Sequence, residues 1–320
     1  MTVMVAEGLD AGVPWHFGDP LREQRGLAAG VGLVDLSQRG VLTITGPDRL
    51  AWLHSLTTQH LTALARGEGT TTLVLSPQGH IEHVLYGVDD GETFWAHTEP
   101  GAAAAAVAWL DSMRFMMRVE VADVSDRYAV IWQPAAAGTR GAGDLVTRSG
   151  RDSLDGFETF VPRTAVNRVL ADRPRAGLWA YEALRIAAGV PRIGRDTDHR
   201  TIPNEIGVLG AAVHLDKGCY RGQETVARVH TLGRPPRRLV LLHLDGTADA
   251  LPAAGSPLEL DGRAVGFVGS SARHYELGPI GLGLVKRSVD VNATLVADGI
   301  AAAQEVLVDP EIGLHVRPLR

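Results

Sequence analysis

One polar segment organises the interpretation of this chain: Asp216-Lys217-Gly218-Cys219-Tyr220-Arg221-Gly222-Gln223-Glu224. It contains the only cysteine of the 320 residues, Cys219, close to the cations Lys217 and Arg221. Residues 223–229 have the pattern of a helix, which Gly233 and the two prolines after it would end. Cys219 is therefore predicted to lie just before a helix N-terminus, where the helix dipole and the two cations favour the reactive thiolate.

The neighbours of Cys219 decide between two interpretations of a lone cysteine. Such a residue is most often a small buried hydrophobic side chain, and core cysteines are usually flanked by apolar residues. Around Cys219 the chain instead carries glycine, tyrosine and charged or amide side chains. Glycines at this spacing indicate a tight turn or a close approach by another group. The sequence therefore favours a functional thiol.

The composition argues against several classes of protein. The formal net charge of −6 does not suit a general nucleic-acid or membrane-surface binder. A single cysteine permits no internal disulfide, as in a reducing cytoplasm, and falls short of the about four thiolates that hold an iron–sulfur cluster. The N-terminal segment lacks the features of a signal peptide, and the longest near-apolar run, residues 101–110, is shorter than the ~20 residues of a membrane span. We expect a cytoplasmic protein that has neither nucleic acid nor membrane as a partner.

The pattern of apolar residues predicts a mixed fold. Strands are predicted at residues 70–75, 80–88 and 93–97, followed by a helix that Thr98 caps and that runs to about Met113. Residues 134–156, rich in glycine and alanine, are interpreted as a boundary. After Pro236 the chain changes to short strands whose turns carry Asp-Gly at positions 245–246, 261–262 and 298–299. This pattern predicts an all-β C-terminal domain, either a sandwich or a barrel.

Two further patterns are not interpreted as sites. His80, Glu82 and His83 resemble a metal or acid–base cluster, but on a strand His80 and Glu82 share one face while His83 lies on the other. They therefore do not converge on one metal ion. The basic run at residues 235–238 is interpreted as a solvated linker and not as a nucleic-acid patch.

The segment with Cys219 also carries a resemblance to a known family. Residues 217–224 match the KGCYxGQE signature of the YgfZ family. Residues 185–191 and 201–205 resemble that family's R-L-A-A-G-I-P and F-I-P-x-E segments. In the first third, residues 32–37 and 44–48 resemble the G-L-x-D-x-S and V-x-G-x-D segments of the wider glycine-cleavage T-protein superfamily. The chain thus resembles this group over nearly its whole length.

The resemblance implies an α+β fold in which three domains form a cloverleaf around a central folate channel. The implied domains are residues 1–50 with 152–235, residues 51–151, and the all-β residues 236–320. The implied function is to bind tetrahydrofolate or a derivative and to act on iron–sulfur enzymes or with cluster-assembly proteins. The implied catalytic residues are Cys219 and Lys217, and the other signature residues are Gly218, Tyr220, Gly222, Gln223 and Glu224. The implied folate contacts are His83, His97, Glu205 and Arg228.

The chain departs from T-proteins at the residues that handle folate. Glu82 and His83 stand where T-proteins carry paired aspartates, His97 where they carry asparagine, and Ala187 where they carry glutamate. Lipoyl-dependent aminomethyl transfer is therefore not expected. Two hypotheses stay open. One is a folate-dependent assembly or repair factor for iron–sulfur enzymes, in which Cys219 does the chemistry. The other is a folate-dependent one-carbon transferase, in which Cys219 is structural and Glu205 or Glu82 is the base.

Overall fold

A computed structural model describes residues 1–137, 145–150, 154–171 and 173–315 of the chain. These residues form two compact units. The first unit comprises Met1–Val74, His83–Tyr181 and Ala211–Tyr220, and the second comprises Leu75–Glu82, Glu182–Gly210 and Arg221–Arg320. The boundary predicted between residues 151 and 152 lies outside the described residues. The division into three domains stays a prediction.

The described ranges contain six α-helices and eighteen strands. The helices are α1 (Pro20–Ala28), α2 (Arg49–Leu56), α3 (Ala103–Ser112), α4 (Val166–Ala171), α5 (Leu178–Ala187) and α6 (Gln223–Leu232). The strands are β1 (Val3–Met4), β2 (Pro14–His16), β3 (Leu33–Asp35), β4 (Gly40–Thr45), β5 (Gly69–Leu75), β6 (Ile81–Asp89), β7 (Thr93–Thr98), β8 (Glu120–Asp123), β9 (Tyr128–Pro134), β10 (Thr147–Ser149), β11 (Gly156–Pro162), β12 (Arg175–Ala176), β13 (Arg237–Leu244), β14 (Pro257–Leu260), β15 (Arg263–His274), β16 (Gly278–Lys286), β17 (Leu295–Ala297) and β18 (Ile300–Val306). Within these ranges no helix combines the length and the apolar character that crossing a bilayer requires.

Two five-stranded sheets carry most of the first unit. One has the order β5-β6-β7-β4-β8 and the other the order β10-β11-β9-β3-β12. The first sheet shares a buried core with residues of α2 and α3, among them Trp52, Leu53 and Leu110. The second sheet packs against α4 through Val166 and Leu170. In both cases the apolar sheet face is covered by a helix, which removes its side chains from water.

The helix predicted to begin at Thr98 begins later than expected. Thr98 is the last residue of β7, where it pairs with Gly40, and its side chain is buried. The helix α3 begins at Ala103, and its N-cap residue Ala102 provides no side-chain hydrogen bond. The prediction of Thr98 as the cap was therefore wrong, because pairing within the sheet holds this residue in an extended conformation.

The C-terminal strands close into a six-stranded barrel of order β13-β16-β15-β14-β17-β18. Two of the predicted Asp-Gly turns are two-residue hairpins, Asp261-Gly262 between β14 and β15 and Asp298-Gly299 between β17 and β18. All four residues have positive φ, as a type I′ turn requires. The pair Asp245-Gly246 instead opens a longer loop after β13. The prediction of an all-β C-terminal domain is confirmed, and the barrel is the correct one of the two alternatives.

Candidate functional site

The segment that carries Cys219 is bound to the end of helix α2 within the first unit. The hydroxyl of Thr58 donates to the carbonyl of Ala212 at 2.6 Å, and the backbone N–H of His214 donates to the carbonyl of Thr58 at 2.9 Å. The side-chain amide of Gln59 donates to the carbonyl of Ala211 at 3.0 Å. These bonds fix the start of the segment, residues 211–214, on the chain that follows α2.

Lys217 is a buried cation that is bound to the same helix. Only 6% of its surface is exposed, and its ammonium donates to the carbonyls of His54 and Thr57. Its Nζ also lies 5.0 Å from the centre of the Tyr220 ring. Burial lowers the pKa of Lys217 from 10.5 to about 8, because it disfavours the charged form. The two carbonyls and the ring are the groups that replace water around this charge.

Residues Lys217–Tyr220, which we call the signature loop, have a buried residue at each end and two exposed residues between them. Tyr220 is 8% exposed, and burial raises the pKa of its hydroxyl to about 12. Gly218 and Cys219 between the two anchors are exposed. Cys219 is therefore not a core residue, as the polar neighbours in the sequence indicate. Its chemical role stays a prediction.

The remaining signature residues shape the start of helix α6. Gly222 is the N-cap in the left-handed conformation, with φ of 81°. A Cβ at this position would come within 2.4 Å of the carbonyl oxygen of Ser76, so that only glycine fits. Gln223 is the first helical residue and Glu224 an exposed acid in the first turn, where the helix dipole favours a negative charge. The guanidinium of Arg221 pairs with Glu82 at 2.8 Å. The two cations near Cys219 in the sequence thus each have partners of their own.

A cleft of about 790 Å³ in the second unit brings together three of the predicted residues, Glu205, Glu224 and Arg228. Its other ionisable lining residues are His80, Asp198, Arg200, Arg237 and Lys286. We call it the Arg237 cleft. Four arginine and lysine side chains face three carboxylates there, which leaves one positive charge in excess. The cleft volume lies within the roughly 300–1,000 Å³ of small-molecule sites.

Arg237 pairs with two of the three carboxylates in this cleft. It pairs with Asp198 at 2.7 Å and with the buried Glu205 at 2.9 Å. Burial raises the pKa of Asp198, but hydrogen bonds from Arg237 and Thr201 outweigh this effect and hold it below the ordinary carboxyl range. The interpretation of residues 235–238 as a solvated linker was wrong. Arg237 and Arg238 begin β13, which pairs with β16 and β18 in the barrel, and Arg238 is completely buried.

His83 and His97, two of the four predicted folate contacts, belong to the first unit. His83 lies on β6 and is half-buried. His97 is completely buried, stacks on Tyr86 with 4.9 Å between ring centres, and places Nε2 3.1 Å from Oε2 of Glu158. Neither residue lines the Arg237 cleft. The predicted folate contacts thus belong to both units, and a folate contact of either histidine stays a prediction.

The His97 cluster, which comprises Arg39, Tyr86, His97, Arg148 and Glu158, was not anticipated from the sequence. Arg148 donates to Glu158 at 2.5 Å, and both side chains are buried. Burial lowers the pKa of His97 below its ordinary value, although Glu158 opposes the shift. Burial raises the pKa of Glu158, but the His97 ring and the charge of Arg148 outweigh burial and hold it below the ordinary range. The buried charges of Arg148 and Glu158 are paired, so that removing either partner would leave the other charge uncompensated in the core.

Comparison with known proteins identifies the class to which this fold belongs. Residues 9–137 match the family model of the GCVT N-terminal domain. The crystal structure of the glycine cleavage system aminomethyltransferase T from Bartonella henselae superposes with a TM-score of 0.79, covering 96% of this chain and 94% of that chain at 21% sequence identity. The chain therefore has the T-protein fold, a mixed α/β architecture that includes the C-terminal barrel.

Two curated relatives extend this likeness along the sequence. The aminomethyltransferase of Nostoc sp. is 30% identical, over 85% of this chain and 81% of that protein. A chloroplastic protein of Arabidopsis thaliana that is named as a transferase is 26% identical, over 81% of this chain. The chain spans 66% of the length of the Arabidopsis protein. This chain belongs to the aminomethyltransferase family of the T-protein superfamily.

Proposed function

We propose that this protein binds tetrahydrofolate or a derivative and acts in the assembly, maintenance or repair of iron–sulfur enzymes, with Cys219 as the reactive residue. The observation that carries the proposal is the exposure of the only cysteine between two buried anchors, Lys217 and Tyr220. A thiol must be accessible to act as a nucleophile or as a metal ligand.

The Arg237 cleft supports folate as the small molecule. Folates carry a glutamate tail whose carboxylates suit arginine and lysine donors, which form charge-assisted hydrogen bonds of about 1.5–3 kcal/mol each. Arg200, Arg228 and Lys286 line the cleft and would hold such a tail, while Arg237 is already engaged by two carboxylates. Ile202 and Val229 give the same cleft an apolar wall. The residues present therefore fit the folate class, and the bound folate would supply a carrier for one-carbon units.

A cluster handled by this protein would need further ligands from elsewhere. The chain has one thiol, whereas cysteine-held clusters take about four. A target iron–sulfur enzyme, a cluster-assembly protein or a small thiol would therefore complete the coordination. We propose iron–sulfur enzymes or cluster-assembly proteins as partners, and a cytoplasmic location for this work.

The second candidate is a folate-dependent one-carbon transferase, and the family relatives named aminomethyltransferases favour it. In that case Glu205 or Glu82 would be the base. Glu205 accepts hydrogen bonds from Arg237 and from the backbone of Ile202, and Glu82 accepts them from Arg221. A base must receive a proton from its substrate, so either carboxylate would first have to release an arginine. Because of this requirement, we place the transferase second to the assembly or repair function.

The Cys219→Ser variant separates the two candidates. In cells that lack the native protein, we expect the variant to lose the support of iron–sulfur enzyme activity, while calorimetry with tetrahydrofolate gives the wild-type affinity. Retained support of those enzymes would show that Cys219 is structural and would favour the transferase.

The matched variant for the folate part of the proposal is Arg228→Met. It should weaken tetrahydrofolate binding by the ~1.5–3 kcal/mol of a lost charge-assisted bond. Lys217 and Cys219 remain intact in this variant, so that the folate part is tested separately from the thiol. An unchanged affinity would remove Arg228 from the folate site.

A further inference from the structure

The end of helix α2 leaves two carbonyl groups that the helix itself does not use. The residue that would bond the carbonyl of His54 in a longer helix is Thr58, but its N–H donates to the carbonyl of Leu73. The backbone N–H of Leu61 likewise donates to the His54 ring and not to the carbonyl of Thr57. Carbonyls at a helix C-terminus need other donors, and the negative end of the helix dipole attracts cations there.

Lys217 provides the donor for both carbonyls. Its ammonium binds His54 and Thr57 at the same time, so one side chain from the signature loop caps the helix. The burial of this ammonium makes the bonds necessary, because a buried cation without partners is costly. The loop is thereby joined to a helix whose own core residues, Trp52 and Leu53, are buried in the first unit.

Tyr220 completes the arrangement from the other side of Cys219. Its buried ring lies 5.0 Å from the Lys217 ammonium, within the range of a cation–π interaction. Lys217 and Tyr220 thus point inward and contact each other, three positions apart in the chain. The two residues between them are both exposed. A Cβ built on Gly218 meets no atom within 4 Å, which places this part of the loop in open solvent.

We infer that Lys217 and Tyr220 are positioning residues, which clamp the signature loop to the end of helix α2 and hold the Cys219 thiol outward for a reactant that arrives from solvent. This inference rests on the proposed function only in treating Cys219 as the reactive group. The clamp concerns only the geometry of the loop, so the mobility of the loop tests it and no activity needs to be measured.

The single cysteine makes the test direct, because a nitroxide spin label attached to the wild-type protein reports on residue 219 alone. We expect a restricted electron paramagnetic resonance spectrum for the labelled wild type, and a several-fold shorter rotational correlation time in Lys217→Met. Lys217→Arg, which keeps a cation able to donate to both carbonyls, should restore much of the restriction. Arg114→Met removes a cation of the first unit that pairs with Asp111 and should leave the spectrum unchanged. Equal spectra for wild type and Lys217→Met, both folded by circular dichroism, would overturn the inference.

A second pair of variants keeps the test decisive where Lys217→Met does not fold. Tyr220→Phe retains the ring and should keep the restricted spectrum, whereas Tyr220→Leu loses the cation–π contact and should mobilise the label. The same mobility in both would refute the role of the ring. These results are independent of the Cys219→Ser outcome. A label that is restricted in the wild type and mobile in Lys217→Met would confirm the clamp, and full function of Cys219→Ser in the same study would reject the proposed function.

Discussion

The signature loop and the His97 cluster both place cations against a tyrosine ring, with opposite consequences. In the loop, the Lys217 ammonium lies 5.0 Å from the Tyr220 ring, and the residues between them are exposed. In the cluster, the guanidinium carbons of Arg39 and Arg148 lie 5.6 and 5.5 Å from the centre of the Tyr86 ring, and all the side chains are buried. The same interaction therefore lies beside an exposed thiol in one region and inside a buried cluster in the other.

The difference comes from the backbone that carries each tyrosine. Tyr86 and His97 face each other across the paired strands β6 and β7, so the sheet fixes their side chains toward the same covered face. Tyr220 lies in a loop, where its preceding neighbours Gly218 and Cys219 are exposed although the Tyr220 ring is buried. A cation–π contact in a loop can thus anchor the chain without burying its neighbours.

The largest expected effect belongs to the His97 cluster. Arg148→Met removes the partner of buried Glu158 and leaves an uncompensated charge, which should lower the unfolding free energy by about 3–5 kcal/mol. Urea unfolding measures the change. The control is Arg114→Met, which breaks an exposed pair with Asp111 and should cost no more than about 1 kcal/mol. An equal decrease of the unfolding free energy in both variants would show that the buried Arg148–Glu158 pair matters no more to stability than an exposed pair.

A smaller effect concerns the pH dependence of the same cluster. Burial lowers the pKa of His97 below 6.5, so below that pH the unfolded chain binds a proton that the folded chain rejects. Stability is therefore lost as pH falls through 6.5, with a slope of at most about 1.4 kcal/mol per pH unit from this group. His97→Gln should show a shallower decline between pH 7.5 and 5.5 in urea unfolding. A parallel decline in variant and wild type would mean that His97 titrates alike in both states.

The smallest effect on stability is expected in the signature loop. Cys219→Ser changes an exposed side chain, and the unfolding free energy should stay within about 0.5 kcal/mol of the wild type. The same urea titration measures it. A loss comparable to that of Arg148→Met would show that the thiol is part of the core and would remove the contrast between the two regions.

Local chemistry made much of this molecule predictable. The polar neighbours of Cys219 indicated exposure, Gly233 marked the end of α6, and Asp-Gly pairs with positive φ marked two barrel hairpins. In each case a few adjacent residues determine the conformation, and the sequence shows them together.

The features that escaped prediction depend on distant partners. Thr98 has the chemistry of a helix cap, but pairing with Gly40 keeps it in a strand. Arg237 lies in a basic run that was interpreted as solvated, but it pairs with Asp198 and Glu205, more than thirty residues away. The choice between sandwich and barrel likewise depends on the pairing of β13 with β18, the first and last strands of the C-terminal domain. No local pattern encodes such contacts.

The central claim, that the fold presents Cys219 for chemistry, is tested most directly by the reaction of this one thiol with a small alkylating reagent near neutral pH. The rate should be measured in the folded protein and in the same protein unfolded in urea. Because the thiol is exposed, it should react in the folded state at a rate comparable to that in the unfolded chain. Protection of the folded thiol by about tenfold or more would contradict the account, since such protection is what a buried cysteine shows.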